Sequence, residues 1–327
     1  MDIEKIFEIA QKSPIPLGVA MQPGTAPQFG GKRFKQPAPR ENGAAPPLIT
    51  VVTAVFNGAR SLEPTIQSVL CQTFRNFEYI VIDGGSTDGT LDILRRYDDA
   101  LECWQSEPDH GIYDAFNKSC QLVHGEWILF LGAGDLLDAP DVLAKAAHAA
   151  LQAGDIAEIV YGRVCLTDDA NSAVKVINWP WTQMRGQWRG GRPMLPHHQG
   201  IFHRKTLLLP PRPFDTRFKI AADSKLVYRS IQRTVPVYFD TVVTRAPIGG
   251  VSTNPRHFLS TAHEILRINF EFGHKNYAHQ LWFYIKAMTK SLAYKITGDS
   301  QTKTLIDEYR VITGRNPRRR IGDGSHL

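Results

Sequence analysis

Three aspartates stand where apolar runs give way to small or polar residues: Asp83, Asp135 and Asp223. Asp83 ends YIVID and opens Gly84-Gly85-Ser86-Thr87-Asp88-Gly89; Asp135 ends WILFLGAGD; Asp223 ends IAAD ahead of a helical pattern. A carboxylate so placed can accept an N–H, share a hard cation with phosphate oxygens, or take a proton from a hydroxyl. Glu107, Asp109, His110, Tyr113, Asp114 and Asn117 form a further polar cluster at the start of a helix. Asp109 and Asp114 can bind hydroxyls, and Asp109 can equally cap that helix. His197, His198 and His203 bring three imidazoles together, but no cysteine or carboxylate completes a zinc set.

The elements that position these groups follow from the apolar pattern. Leu48 to Val55 is a short apolar, β-branched run ending at Asn57-Gly58, a strand leading into a turn. Leu62, Ile66, Val69 and Leu70 have helical spacing, with Ser61 as N-cap and Pro64 in the first turn. Tyr79 to Ile82 is a second strand. Strand, helix and strand so close together make a βαβ unit, hence a parallel pair with a right-handed crossover. Ligands of open α/β sheets bind beyond the carboxyl ends of the strands, where Asn57, Asp83 and the glycine-rich turn lie.

Further along, helices are expected over 90–97, 113–123, 140–153 and 220–233. Strands are expected over 101–105, 127–131, 159–166, 200–202 and 235–245. Residues 3–10 suggest a short helix, and 13–47, with eight prolines, an extended linker without regular structure. Residues 178–196 hold Trp179, Trp181, Trp188, Arg185, Arg189 and Arg192, too many aromatics for a bland surface loop. The organisation expected is therefore an N-terminal helix and linker (1–46), a catalytic domain (47–253) and a basic helical region (254–327).

The net charge of +6 is uneven. Residues 256–327 hold 12 Lys and Arg against 6 Asp and Glu, which is the whole excess and suggests an anionic partner there. The four cysteines form no CxxC pair and read as buried, reduced thiols. With no signal-peptide pattern and no run of about 20 apolar residues, the chain reads as cytoplasmic, soluble or peripheral.

VVTAVFN, SVLCQTF, YIVIDGGSTDGT and EWILFLGAGDLLDAPDVL resemble, in that order, the motifs of family 2 glycosyltransferases. EPDHGIYDAFNKS with FKIAADSKL resembles the bacterial exopolysaccharide, colanic-acid-type branch. The resemblance covers about 47–245. It implies a type A nucleotide-diphosphosugar transferase fold, α/β with a central, mostly parallel sheet flanked by helices. It also implies a nucleotide-sugar donor, a divalent cation (Mg²⁺ or Mn²⁺) and inversion at the anomeric carbon.

Carried over residue by residue, the resemblance gives Ala54, Phe56, Asn57 and Asp83 to the nucleotide, with Asp83 alternatively only a turn residue. From residue type and placement, Asp109, Asp114, His197 and His198 are read as candidates for the donor or acceptor sugar. Asp135 is the metal ligand, though Gly132-Ala133-Gly134-Asp135 departs from the usual Asp-x-Asp-Asp; its other reading is a cap for a helix at 136. Asp223 matches the catalytic base, or else caps its helix. Leu281, Ile285, Met288, Leu292 and Ile296 make an apolar stripe beside Lys286, Lys290 and Lys295. Such a helix suits an anionic membrane surface, with Arg315 and Arg318–Arg320 adding charge, or packing on its own domain or on a dimer partner.

The function expected is inverting transfer of a sugar, UDP-linked, to a saccharide or polyprenyl-linked acceptor in bacterial polysaccharide synthesis, on the inner face of the cytoplasmic membrane. The depleted metal motif keeps a non-catalytic sugar-nucleotide binder as the alternative. A dinucleotide oxidoreductase is disfavoured because GGSTDG is not GxGxxG and follows the second strand. No nucleic-acid-binding module is recognised.

Overall fold

The computed structural model describes residues 26–35, 46–168, 170–209, 212–249 and 254–312, with side chains to residue 296. The described chain divides into two compact units: residues 26–189 with 193–248, and residues 190–192 with those from 249 onward. The expected helix at 3–10 and the arginines at 315 and 318–320 lie outside the described residues.

The first unit is built on one mixed sheet. Its strands are β1 (Gln28–Gly30), β2 (Ile49–Val55), β3 (Phe77–Asp83), β4 (Cys103–Ser106), β5 (Trp127–Gly132), β6 (Leu136–Leu137), β7 (Ile159–Thr167) and β8 (Ala173–Ile177). A small ribbon of β9 (Trp188–Arg189) and β10 (Arg192–Pro193) precedes β11 (Ile201–Arg204) and β12 (Val237–Pro247). The main order is β1-β4-β3-β2-β5-β11-β7-β12-β6, with β8 beside β7. β4, β3, β2 and β5 are mutually parallel, whereas β11 is antiparallel to both β5 and β7.

Helices cover both faces, as a near-continuous apolar strand requires. Ile49, Val51, Tyr79, Val81, Trp127 and Leu129 share one buried cluster with α1 (Leu62–Leu70), α2 (Thr90–Arg96) and α4 (Val142–Ala153). The alternate residue Phe130 points the other way, onto Phe116 of α3 (Ile112–Ser119) at 4.7 Å between ring centroids. α5 (Ala222–Ile231) follows on the acid-bearing IAAD segment.

The expected βαβ order is met, and β2 and β3 pair parallel in full register. Several expectations need correction. The helix from 113 stops at Ser119, before Gly125 could end it. Within the supposed linker, residues 28–30 form β1 against β4 and 32–35 a helical turn, so that part has regular structure. The reason is specific: Arg33 Nη1 donates to the Leu122 carbonyl at 2.8 Å, and Nη2 pairs with Glu78 at 3.1 Å. Cys103 and Cys165 are buried, but Cys71 at the end of α1 is exposed and Cys120 half-buried, because both fall off the inward helical stripe.

The second unit contains α6 (Phe258–Glu271) and α7 (Tyr277–Ile312). They are joined by His263 with Tyr284 Oη at 2.6 Å and by Lys290 over the Phe258 ring, and Arg256, in the turn before α6, donates from Nε to Tyr294 Oη at 2.6 Å. No helix among the described residues is long and apolar enough to cross a membrane.

Candidate active site

The site starts from register. Val55 stands beside Asp83 and Ala54 beside Gly132, so the carboxyl ends of β2, β3 and β5 finish together. Asp83 is fully buried and accepts Ser106 Oγ at 2.6 Å and Ser86 N–H at 3.0 Å, with Ser86 Oγ also against it. Asp83 thus does hold its own turn. Asn57 adopts φ 49°, a conformation asparagine tolerates; its Oδ1 accepts Thr87 N–H at 2.9 Å and its N–H meets Ser86 Oγ at 2.6 Å. Phe56, between them, leaves 54% of its surface exposed, an aromatic face free at the strand ends. Asp88 accepts from Thr90 and Ala59 N–H and so ties the start of α2 to the β2 turn.

Asp109 leans over this turn. A side chain on Gly84 would lie 2.6 Å from Asp109 Oδ2, so any larger residue there would have to push that carboxylate aside. Burial pushes the Asp109 carboxyl above its ordinary 3.8, against the Gly111 N–H bond at 2.8 Å that favours the anion. Asp114 Oδ2 accepts His110 N–H at 3.1 Å. Both carboxylates therefore also organise the entry to α3.

Asp135 is 7% exposed and accepts Gly132 N–H at 2.8 Å; burial pushes its carboxyl up to about 6, opposed by that bond and by one from Gln199. The next element is strand β6, not a helix; α4 begins only at Val142, so Asp135 caps nothing. Gln199 sits in the short turn 198–200, next to His198. His198 stacks on Phe130 and faces His203, and neither ring has a hydrogen-bond partner among the described residues. Burial holds both imidazoles below their ordinary 6.5, with the Asp223 charge opposing this at His198.

Asp223 lies inside the first turn of α5. The N-cap is Ala221 with no side-chain bond, so the capping reading fails on position. Its Oδ1 instead faces Tyr113 Oη of α3 at 2.9 Å, and the same phenol reaches the Ile220 carbonyl at 2.7 Å. Asp135 is thereby paired with Gln199 and Asp223 with Tyr113, while His198, next to Gln199, lies in the field of the Asp223 charge. Sequence reasoning placed Tyr113 in a polar cluster but had no signal pairing it with Asp223, 110 residues away. Gln199 carried no signal beyond standing next to His198.

For a divalent cation the fit is narrow. No group of three ligating side chains forms around Asp135 among the described residues. One buried carboxylate fits a cation held mostly by ligand phosphates and water, as Mg²⁺ commonly is. The group that does assemble, Glu78, Glu102 and His124, lies at the amino ends of the strands and already receives the Arg33 guanidinium.

Known proteins resemble the chain in both sequence and fold. Glycosyl transferase family 2 matches residues 50–208. An uncharacterized glycosyltransferase of Mycobacterium tuberculosis is 31% identical over 210 residues, covering 64% of this chain and 78% of the relative. A PGL/p-HBAD biosynthesis glycosyltransferase of the same species is 32% identical over 185 residues, covering 55% and 68%. Among solved structures, the Pyrobaculum calidifontis mannosyltransferase PcManGT with GDP-Man and Mn²⁺ superposes with TM-score 0.53 at 17% identity, covering 94% of this chain and 86% of that one. S. aureus TarS with UDP-GlcNAc gives 0.53 at 15% identity, covering 80% and 77%. These neighbours share the type A nucleotide-sugar transferase fold. A site assembled at the carboxyl ends of a parallel sheet, in that fold and with those relatives, makes this chain a member of glycosyl transferase family 2.

Proposed function

We propose that this glycosyltransferase inverts the anomeric centre as it moves a hexose from a UDP-linked donor to a saccharide or lipid-linked saccharide in bacterial polysaccharide assembly, of the colanic-acid type. The observation that carries the reading is the pairing of an exposed Phe56 and a buried Asp83 at the strand ends with Asp223 held by Tyr113. Phe56 and Ala54 flank the base, while Asp83 and Asn57 fix the nucleoside turn. Asp109 and Asp114 face donor hydroxyls, and His197 and His198 the acceptor side. Asp223 takes the acceptor hydroxyl proton as the new bond to the anomeric carbon forms. Neighbours of the same fold bind UDP-GlcNAc and GDP-Man, which supports a nucleotide-sugar donor.

A bound Mg²⁺ or Mn²⁺, held by Asp135, would neutralise charge on the departing diphosphate. The chain's own residues do the rest: the aspartates orient the donor and Asp223 holds the proton. The catalytic part spans 47–253 on this reading, and the basic helical region from 254 meets an anionic membrane surface. Support for the latter is the exposure of Leu281, Ile285, Met288, Leu292 and Ile296 along α7, with Lys286 and Lys290 beside them.

The test is release of UDP from UDP-hexoses in the presence of bacterial lipid-linked saccharide extracts, with the product anomer assigned by NMR. Retained configuration would remove the inverting assignment. Nucleotide binding without any transfer would favour the non-catalytic binder.

A further inference from the structure

Residues 178–197 form a loop closed at its neck by one side chain. Asn178 is buried with φ 71°; its Nδ2 donates to the Gly162 carbonyl at 2.8 Å and its Oδ1 accepts His197 N–H at 2.8 Å. Within this loop Trp179, Gln183, Met184, Arg189 and Met194 line a cavity of about 270 Å³. The backbone of its walls is held at three points. Tyr161 Oη donates to the Trp179 carbonyl at 2.8 Å, the Trp179 N–H meets Met184 Sδ at 3.4 Å, and Met194 N–H donates to the Gln187 carbonyl at 2.8 Å. A held backbone lowers the ordering cost of binding.

The lining has two chemistries. Trp179 with two methionines gives an apolar wall suited to the C–H face of a sugar ring. Gln183 and Arg189 supply donors, and neither side chain has a partner among the described residues. No Asp or Glu occurs from 170 to 214, so no acid of this stretch neutralises Arg189. A guanidinium of this kind matches a carboxylate or phosphate in a bidentate manner. The volume lies just under the range of about 300–1,000 Å³ typical of drug-sized ligands, and suits a single ring. The neck residue His197 leads directly to His198, whose ring lies in the field of Asp223.

We propose that this cavity is an acceptor subsite for one pyranose ring carrying an anionic group. The assignment to acceptor rests on Asp223 being the base. Two sources share the chemistry: a uronic acid within the acceptor, or the phosphate at the reducing end of a lipid-linked sugar.

The experiment uses the full-length protein and three probes by saturation-transfer NMR and calorimetry: methyl glucuronide, glucose 1-phosphate and neutral methyl glucoside. UDP binding is measured in parallel. At least one anionic probe should bind about ten-fold or more tightly than the glucoside. Arg189→Gln, at an exposed position, should reduce it to the neutral level, and Trp179→Ala should weaken all three, with UDP affinity unchanged. Preference for the glucuronide identifies the uronate, and preference for the phosphate identifies the lipid-linked end. Equal binding of charged and neutral probes, or an Arg189→Gln protein that keeps the anionic preference, overturns the proposal. UDP binding with no probe bound removes the subsite while leaving glycosyl transfer intact; probe binding without UDP binding overturns the acceptor assignment instead.

Discussion

Tyr113 Oη lies 2.9 Å from Asp223 Oδ1 and 2.7 Å from the Ile220 carbonyl oxygen, two acceptors for a single phenolic proton. While Asp223 is ionised, the phenol can donate to it. Once Asp223 has taken a proton, it can donate to Oη, and the phenol can turn its own proton to Ile220. One side chain can therefore serve both protonation states of the base.

Tyr113→Phe removes that adjustment and leaves the ring, which stacks on Phe214 at 5.8 Å, in place. With one partner of the carboxylate gone, kcat should fall about ten-fold or more, since a hydrogen bond to a charged group contributes roughly 1.5–3 kcal/mol. A kcat within two-fold of wild type would confine Tyr113 to packing.

Asp223→Asn keeps the shape of the side chain but not its basicity. Turnover should fall on the order of 10²–10⁴-fold. Because Asp223 is not the N-cap of α5, the melting temperature should change little. Turnover within a few-fold of wild type would exclude Asp223 as the base.

Asp83 poses a different problem, since it is fully buried and collects bonds from Ser86 and Ser106. Asp83→Ala should cost about 1–3 kcal/mol by stranding those donors. Asp83→Asn keeps an acceptor oxygen and is the cleaner probe. It should weaken UDP binding ten-fold or more in calorimetry, and unchanged affinity in a folded protein would remove the nucleoside role.

Asp135 should trade stability for function. Its ordinary carboxyl value of 3.8 is pushed up to about 6, so at pH 7.5 the folded protein holds a charge that burial disfavours. That is a stability cost of up to about 3 kcal/mol. Asp135→Asn should raise the melting temperature at pH 7.5 by several degrees while transfer is lost. Chelation should likewise abolish transfer by the native protein, with Mn²⁺ or Mg²⁺ restoring it. Full turnover after exhaustive chelation would rule out the cation.

The same residue masks two others. His198 and His203 sit below their ordinary 6.5 because they are buried, so below that pH the unfolded chain binds more protons and stability falls. Between about 6 and 3.8, Asp135 works oppositely, since the folded state is the one that takes up its proton. Each full proton is worth about 1.4 kcal/mol per pH unit. Asp135→Asn should therefore melt progressively closer to wild type as pH drops from 7.5 to 5, and a constant offset in scanning calorimetry would contradict this.

The parallel core was legible because β2, β3 and β5 are buried on both faces and read as apolar runs ended by small residues. Asp83 and Asp135 were findable for the same reason, standing where those runs stop. Strand β8 was missed: its residues Ala173 to Val176 are exposed, so no burial pattern marks it. The capping alternative for Asp135 stayed open in the sequence because a two-residue strand and a capped helix look alike after Gly-Ala-Gly-Asp. Tyr113–Asp223 is a contact of topology alone; nothing local to either residue announces it.

The short segment 28–35 has a consequence for the solubility of the whole sheet. An open parallel sheet offers its outer strand, with unpaired N–H and C=O groups, to any passing chain. Here β1 occupies that flank of β4, and Arg33 and Lys35 bolt it down through Glu78 and Asp98. At the opposite end, β6 is only two residues long. A chain beginning at residue 47 would still contain every site aspartate, yet it would lay bare the backbone of Cys103–Ser106 and strip Glu78 of its guanidinium. Such a protein should self-associate edge to edge, and its poor behaviour in solution would reflect a missing selvedge rather than a damaged active site.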